Sequence, residues 1–251
     1  MIVSIVYFSG TGNTKAIAEC YKMLLSNKGH TVHMKSIEEI QSLEDHDLLI
    51  IGGPIYAGNM PDELINWVRK HAKNVNGKNA IVFSTSAGLL NANGIISIGK
   101  KLTKKGYNIL NLTAFEMPRN FYIEMYEPTP EAVQKLQFEN AAVKIVESLS
   151  CLDRPSPIRV NESVIMIDLF ADLFRIMAKF MGKSFQINDK CIGCGLCEKN
   201  CPKSNIKYKE KKYMGLCMLC TRCIHNCPVN AISYKGKHIE QYKVHYDLSI
   251  D

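Results

Sequence analysis

The chain has 251 residues, an ordinary 46% of hydrophobic residues and a formal net charge of +7. That length accommodates a medium domain plus a small one, and the apolar content excludes a disordered chain. No stretch has the length and purity of a transmembrane helix: the nearest, 163–182, carries Asp168, Asp172, Arg175 and Lys179. The opening MIVSIVYF runs into a strand rather than a signal peptide, so a reducing, cytoplasmic location is expected.

Along the chain, strand-like runs at Ile2–Phe8, Thr31–Ser36, Asp47–Gly52, Asn79–Thr85 and Ile109–Met117 alternate with helix-like stretches at Asn13–Lys28 and near 61–74, 95–106 and 130–150. Five strands alternating with helices predict an α/β fold, a doubly wound parallel sheet covered on both faces. In such sheets ligands bind at the carboxyl ends of strands. The loop after the first strand is SGTGNT. It is neither a P-loop, which needs G-x4-G-K-[ST], nor a dinucleotide fingerprint, since Lys15 replaces the third glycine. It is a hydroxyl- and amide-rich turn at a helix N-terminus, suited to a phosphate dianion; a plain Gly-rich turn with a Ser/Thr cap is the competing reading. Loops GGPIYAGNMP (52–61) and STSAGLLNANG (84–94) follow the third and fourth strands.

Residues 1–150 resemble flavodoxin, S-x-T-G-N-T being the most specific element. The resemblance implies a flavodoxin-like five-stranded sheet binding FMN. Ser9, Gly10, Thr11, Gly12, Asn13 and Thr14 would hold the phosphate. Pro54, Ile55, Tyr56, Ala57 and Gly58 would contact the ring from one loop, and Ser84, Thr85, Ser86, Ala87 and Gly88 from the next. Tyr56 is the expected stacking residue, whereas Trp67, on a helical pattern with Leu64, Ile65 and Val68, reads as core. Two departures stand out. The second ring loop offers Leu89, Leu90 and Asn91 instead of an aromatic, so one flavin face is expected open. This part sums to +1, where flavodoxins are acidic.

Pro155 and Pro157 break the chain after the last of these helices. The 163–182 segment then carries one charged stripe on an otherwise apolar helix. It is expected to pack between domains or against another copy, in preference to a membrane surface, and its apolar side is expected to dock the following domain onto the strand carboxyl ends. The expected organisation is therefore 1–150, a 151–184 linker with an amphipathic helix, a small α+β domain at 185–240 and a 241–251 tail.

Residues 191–202 (CIGCGLCEKNCP) and 217–228 (CMLCTRCIHNCP) place eight cysteines twice at C-x2-C-x2-C-x3-C-P. That spacing lets three thiolates of one loop face one iron–sulfur cube while the fourth reaches the other. Cys191, Cys194, Cys197 and Cys227 would hold one [4Fe–4S] cluster; Cys217, Cys220, Cys223 and Cys201 would hold the second. Gly193 and Gly195 suit the turns of the first loop. Zinc does not call for this doubled spacing, and a chain this long without a signal peptide argues against disulfides. Cys20 and Cys151 have no ligand at chelating spacing and read as idle thiols. Residues 185–251 sum to +5, but two clusters would add about −4, which removes the case for nucleic acid.

The 185–240 part resembles bacterial two-cluster ferredoxins, and the whole chain resembles the flavodoxin–ferredoxin fusion proteins of anaerobes, the EFR-type ferredoxin family. The resemblance implies electron transfer between two low-potential clusters and FMN, with redox proteins as partners. The residues themselves show no acid–base or nucleophilic constellation and no nicotinamide site; His225, inside a cluster loop, is expected to tune that cluster. A second reading is a reductase, in which FMN, fed through the clusters, reduces a small substrate. It draws on MPRNFYIEMYEP (117–128), whose Arg119, Asn120 and Tyr122 could border the flavin.

Overall fold

A computed structural model of the chain describes residues 1–88, 92–123, 126–160 and 165–244. Five strands, β1 (Ile2–Tyr7), β2 (Thr31–Ser36), β3 (Leu48–Pro54), β4 (Asn79–Ser86) and β5 (Asn108–Glu116), form one sheet in the order β2-β1-β3-β4-β5. Every neighbouring pair is parallel. The crossovers are α1 (Asn13–Asn27), α2 (Asp62–His71) and α3 (Ala92–Thr103), and α4 (Glu131–Leu149) follows β5. This is the flavodoxin-like doubly wound arrangement. Its order reverses at β1, so the crevice beside the β1 and β3 carboxyl ends is where such sheets take ligands.

Strand alternation sends each residue set to its own layer. Val3, Ile5, Ile50, Ile81 and Phe83 pack with Ile17, Tyr21 and Ile145 of α1 and α4. Val6, Leu49, Ile51 and Val82 pack with Leu64, Trp67, Val68 and Ile98 of α2 and α3. Trp67 is core, as expected, and its indole N–H donates to the Ile40 carbonyl at 2.8 Å. Burying each of these large side chains contributes about 1.5–3 kcal/mol. Gly52 makes room for one of them, because a Cβ there would lie 2.2 Å from the Phe83 ring.

After α4 the chain runs through α5 (Ile165–Met181) into short elements: β6 (Phe185–Ile187), α6 (Leu196–Lys199), β7 (Ile206–Lys207), β8 (Lys212–Tyr213), α7 (Arg222–His225) and β9 (Ile232–Tyr234). β6 pairs antiparallel with β9, and β7 with β8. Phe185, Ile206, Leu219, Ile224, Ile232 and Tyr234 form their core.

The orientation of α5 differs from expectation. Two charges of its stripe face inward, Asp168 accepting from Asn59 and Asn93, both at 2.9 Å, and Arg175 pairing with Asp62, while Asp172 and Lys179 stay exposed. Ala178, Phe174 and Met181 reach the C-terminal core, but Met166, Leu169, Phe170, Leu173, Ile176, Met177 and Phe180 are exposed. The helix does lie between the two parts, held by polar contacts on one side and by Phe174, Ala178 and Met181 on the other, with most of its apolar side left exposed. Among the described residues no helix is long and apolar enough to cross a membrane.

Candidate cofactor sites

The two cysteine runs repeat each other 26 residues apart, from Cys191 to Cys217. Leu196–Lys199 and Arg222–His225 form equivalent helical turns, and the backbone repeats residue by residue. Gly193 and Gly195 have φ of +71° and +73°; their equivalents Leu219 and Thr221 have +59° and +56°. The second loop thus takes the left-handed conformation without glycine, at about 1–2 kcal/mol per residue. Amides also turn onto sulfur in both repeats: Asn205 N–H donates to Cys201 Sγ at 3.3 Å and Ala231 N–H to Cys227 Sγ at 3.2 Å.

This backbone builds two concavities. One, of about 340 Å³, is lined by Cys191, Cys194, Cys197 and Cys227, with Ile187, Tyr208 and Pro228 among its walls. The other, of about 350 Å³, is lined by Cys217, Cys220, Cys223 and Cys201, with Phe185, Tyr213 and Met218. Each draws three cysteines from one run and the fourth from the other. Four sulfurs at the rim of an apolar chamber, with amides directed at some of them, suit an iron–sulfur cube. Burial raises the Cys197 thiol, pushes Cys217 up to about 11 and Cys220 to about 12, and holds Cys223 well above the ordinary thiol value. Metal loading of the second chamber must therefore expel protons.

The second chamber sits against the β1 carboxyl end. A Cβ on Gly10 would lie 3.2 Å from the Cys220 carbonyl oxygen and 2.6 Å from Tyr56 Oη, so all three meet at one point. Arg222, between two of the chamber's cysteines, is buried there. Its Nε donates to the Gly10 carbonyl at 3.2 Å and its Nη2 to the Ser9 carbonyl at 2.7 Å. It grips Glu38 bidentately at 2.7 and 2.9 Å, lies over the Phe8 ring and also donates to the Asn200 carbonyl. His225 donates from Nε2 to the Asn120 carbonyl at 2.7 Å and accepts the Tyr242 N–H at Nδ1. Burial lowers its pKa to about 4, so it is a neutral imidazole joining the two parts. A basic link between the loops, absent from the SGTGNT motif, is thus supplied from the far end of the sequence; the Arg inside C-T-R-C was its only trace.

In the Ser9–Thr14 loop, Gly12 (φ +114°) precedes α1 with no side-chain cap on the helix and no acid in its first turn. Ser9 Oγ accepts the N–H groups of Gly12 and Lys15, and Thr14 Oγ1 bonds Thr85 Oγ1 at 2.7 Å, tying the loop to the end of β4. Asn13 donates to the Pro118 carbonyl and accepts from Tyr242; Thr11 bonds Asn120. Between β3 and α2, Ala57 and Gly58 take φ of +50° and +89° between bridged Tyr56 and Asn59, as in a type I′ turn. Pro54, Ile55 and Tyr56 are partly buried, as are Ser86 and Gly88, whereas Ala87 is exposed. Ser84 is fully buried and its Oγ has no partner. A helix start with no acid in its first turn, reached through a loop of hydroxyl and amide side chains, suits a phosphate-bearing ligand. Leu89, Leu90 and Asn91, expected to leave a flavin face open, lie outside the described residues.

Asn120 and Tyr122 of the 117–128 segment lie where the two parts meet. Asn120 bridges Thr11, Thr221 and His225, Tyr122 meets the His225 ring edge-on at 5.8 Å, and Arg119 lies over Tyr126; Glu124 and Met125 lie outside the described residues. The expected C-terminal tail likewise returns to the loop. Tyr242 donates to Asn13 at 2.5 Å, and Val244 lies 2.7 Å from the Cβ position of Gly12; 245–251 lie outside the described residues. Cys20 is buried and Cys151 half-buried, the latter with its Sγ on the Ser148 carbonyl, and neither lines a chamber.

Two family models match the chain: a flavodoxin domain over residues 4–119 and a 4Fe–4S binding domain over 186–207. No curated protein matches it. Among solved structures, oxidised flavodoxin 1 from Bacillus cereus is similar at 18% identity, covering 62% of this chain and 100% of its own, with a TM-score of 0.46. A flavodoxin from the domain Archaea shows 20% identity over 60% of this chain and 99% of its own, with a TM-score of 0.42. The flavodoxin of Megasphaera elsdenii shows 22% identity over 48% of this chain and 90% of its own, at 0.41.

Proposed function

We propose that this chain, a fusion of a flavodoxin domain with a 4Fe–4S binding domain, passes electrons between two [4Fe–4S] clusters and FMN within one molecule. The observation that carries this is the make-up of the two chambers, each completed by a cysteine from the opposite run. When bound, the clusters supply one-electron steps and FMN a two-electron store that can be emptied singly. Cys191, Cys194, Cys197 and Cys227 would hold one cluster, and Cys217, Cys220, Cys223 and Cys201 the other. The Ser9–Thr14 loop would take the FMN phosphate, with Thr11 and Asn13 exchanging their present partners for it, and residues 54–58 and 84–88 would border the ring. Domain limits of 1–150, 151–184 and 185–240 follow from the same division, with 241–244 strapping the seam.

The packing of Asn120 and Tyr122 into the seam supports an electron carrier over a reductase with its own substrate pocket. Its partners would be low-potential redox proteins. A homodimer through α5 would cover Leu169, Leu173, Ile176 and Phe180, and sedimentation at several protein concentrations tests that. The main experiment is composition: anaerobically purified protein should contain about eight iron, about eight labile sulfides and one FMN per chain. Stoichiometric zinc without labile sulfide refutes the assignment. Cys201→Ala should damage the cluster of the second run; loss confined to the first refutes the crossed ligation.

A further inference from the structure

The two cysteine repeats present the same face to different surroundings. In the second, Met218 packs against the flavodoxin-side core, Cys220 abuts Gly10, Arg222 grips Ser9, Gly10 and Glu38, and His225 holds Asn120. Their counterparts 26 residues earlier are Ile192, Cys194, Leu196 and Lys199, and all four are exposed, Ile192 at 65%. The face that one repeat uses for docking is therefore open on the other.

We propose that this open face is the docking surface for an acidic one-electron carrier protein; the inference rests on the electron-transfer reading above. Charge selects the partner. Residues 189–212 hold seven lysines and three acids, a balance of +4 that falls to +3 once Lys203 is paired with Glu63 of α2. Two of the acids are internally paired, Asp189 with Lys211 and Glu198 with Lys207. A cluster in the adjoining chamber would bring about −2 and leave the stretch positive. Lys190 and Lys199 flank the apolar Ile192 and Leu196, an apolar centre with a charged rim. Such a face attracts an acidic partner and repels a basic one. On docking, one electron leaves the reduced carrier and enters this protein, with no bond formed and no proton exchanged. The second chamber, sealed against Gly10, then faces the flavodoxin side.

The test titrates the full-length, cofactor-loaded protein calorimetrically with two acidic probes, a single-cluster [2Fe–2S] ferredoxin and a flavodoxin, at low salt and at about 0.15 M. Lys190→Glu/Lys199→Glu should weaken binding at least about tenfold at low salt and less as salt rises. Ile192→Ser should weaken it by a factor that salt does not change. Lys22→Glu/Lys28→Glu, on α1 and just beyond its C-terminal end, makes the same change in net charge and should leave Kd unaltered. If neither probe binds the parent at low salt, or if both charge variants weaken binding equally, the docking face is wrong. Should the first double variant lose iron, Lys209→Glu, exposed and remote from every cysteine in sequence, takes its place with the same expectation. Iron and labile sulfide are assayed in each sample. A parent lacking them refutes the cluster reading, whereas a loaded parent with salt-insensitive binding refutes only the docking face.

Discussion

The two halves of the molecule are stabilised differently. Residues 2–149 enclose strands of six to nine residues between helices, and the largest fully buried side chains, including Tyr21, Phe8, Phe83 and Phe115, lie there. The part from Phe185 onward has no strand longer than three residues and no helix longer than four among its described elements. Its core counts Cys191, Cys197, Cys201, Cys217 and Cys223 among the side chains packed against it. One half has two apolar layers closed by large side chains; in the other, cysteine sulfurs form part of the interior.

The strongest way to break that contrast is to strip the metal. Anaerobic chelation should abolish amide-exchange protection across 185–244 while β1, β3 and β4 keep theirs. Equal protection before and after would mean that the small half stands on its own core. Next in size is Phe83→Ala, which opens a void against Tyr21 and Phe115, 5.5 and 6.1 Å away between ring centroids. It should cost about 3–5 kcal/mol in denaturant unfolding followed by Trp67, the single tryptophan, and leave cluster absorbance intact. Simultaneous loss of both signals would show one cooperative unit instead of two.

Arg222→Met sharpens the comparison at the seam. It removes the Arg222 donors from the Ser9, Gly10 and Asn200 carbonyls and leaves the Glu38 carboxylate only the Ser36 hydroxyl, a loss of about 2–4 kcal/mol from docking. Exchange at Phe8–Gly10 should rise while β4 is unaffected. Unchanged exchange there would show that His225, Tyr242 and α5 hold the halves together without it.

The parallel sheet was legible because each buried strand is a short apolar run and each helix carries its own periodicity; β2 matches its expected limits and the others fall within about two residues. The grouping of cysteines was legible because spacing alone determines which sulfurs share a chamber. The seam was not. Arg222–Glu38 and Tyr242–Asn13 join residues 184 and 229 positions apart, and no local pattern marks such pairs. That Asp168 and Arg175 of α5 turn inward, leaving much of its apolar side outside, was not legible for a related reason. Periodicity reveals that a helix has two faces, but Asn59, Asn93 and Asp62, which decide which face turns inward, come from other elements.

The smallest expected effect concerns acid stability of the larger half alone. His46 is 2% exposed; its Nδ1–H donates to the Glu44 carbonyl, and its Nε2 accepts from the Tyr107 hydroxyl at 3.1 Å, with the rings stacked 5.9 Å apart. Burial lowers its pKa below 6.5; the nearby positive charges of Lys78 and Lys73 add to this, while the Glu44 carbonyl and Asp45 partly oppose it. A histidine held neutral in the folded state binds its proton more readily when unfolded. Its contribution is therefore complete above pH 6.5 and declines as pH falls below that value. In iron-free protein, Trp67-monitored urea unfolding should show stability dropping between pH 7 and pH 5.5. His46→Phe should be less stable at pH 7, having lost both hydrogen bonds, yet lose less than the parent over that interval. An identical pH slope in the variant would mean that His46 is not the group whose protonation opens this half.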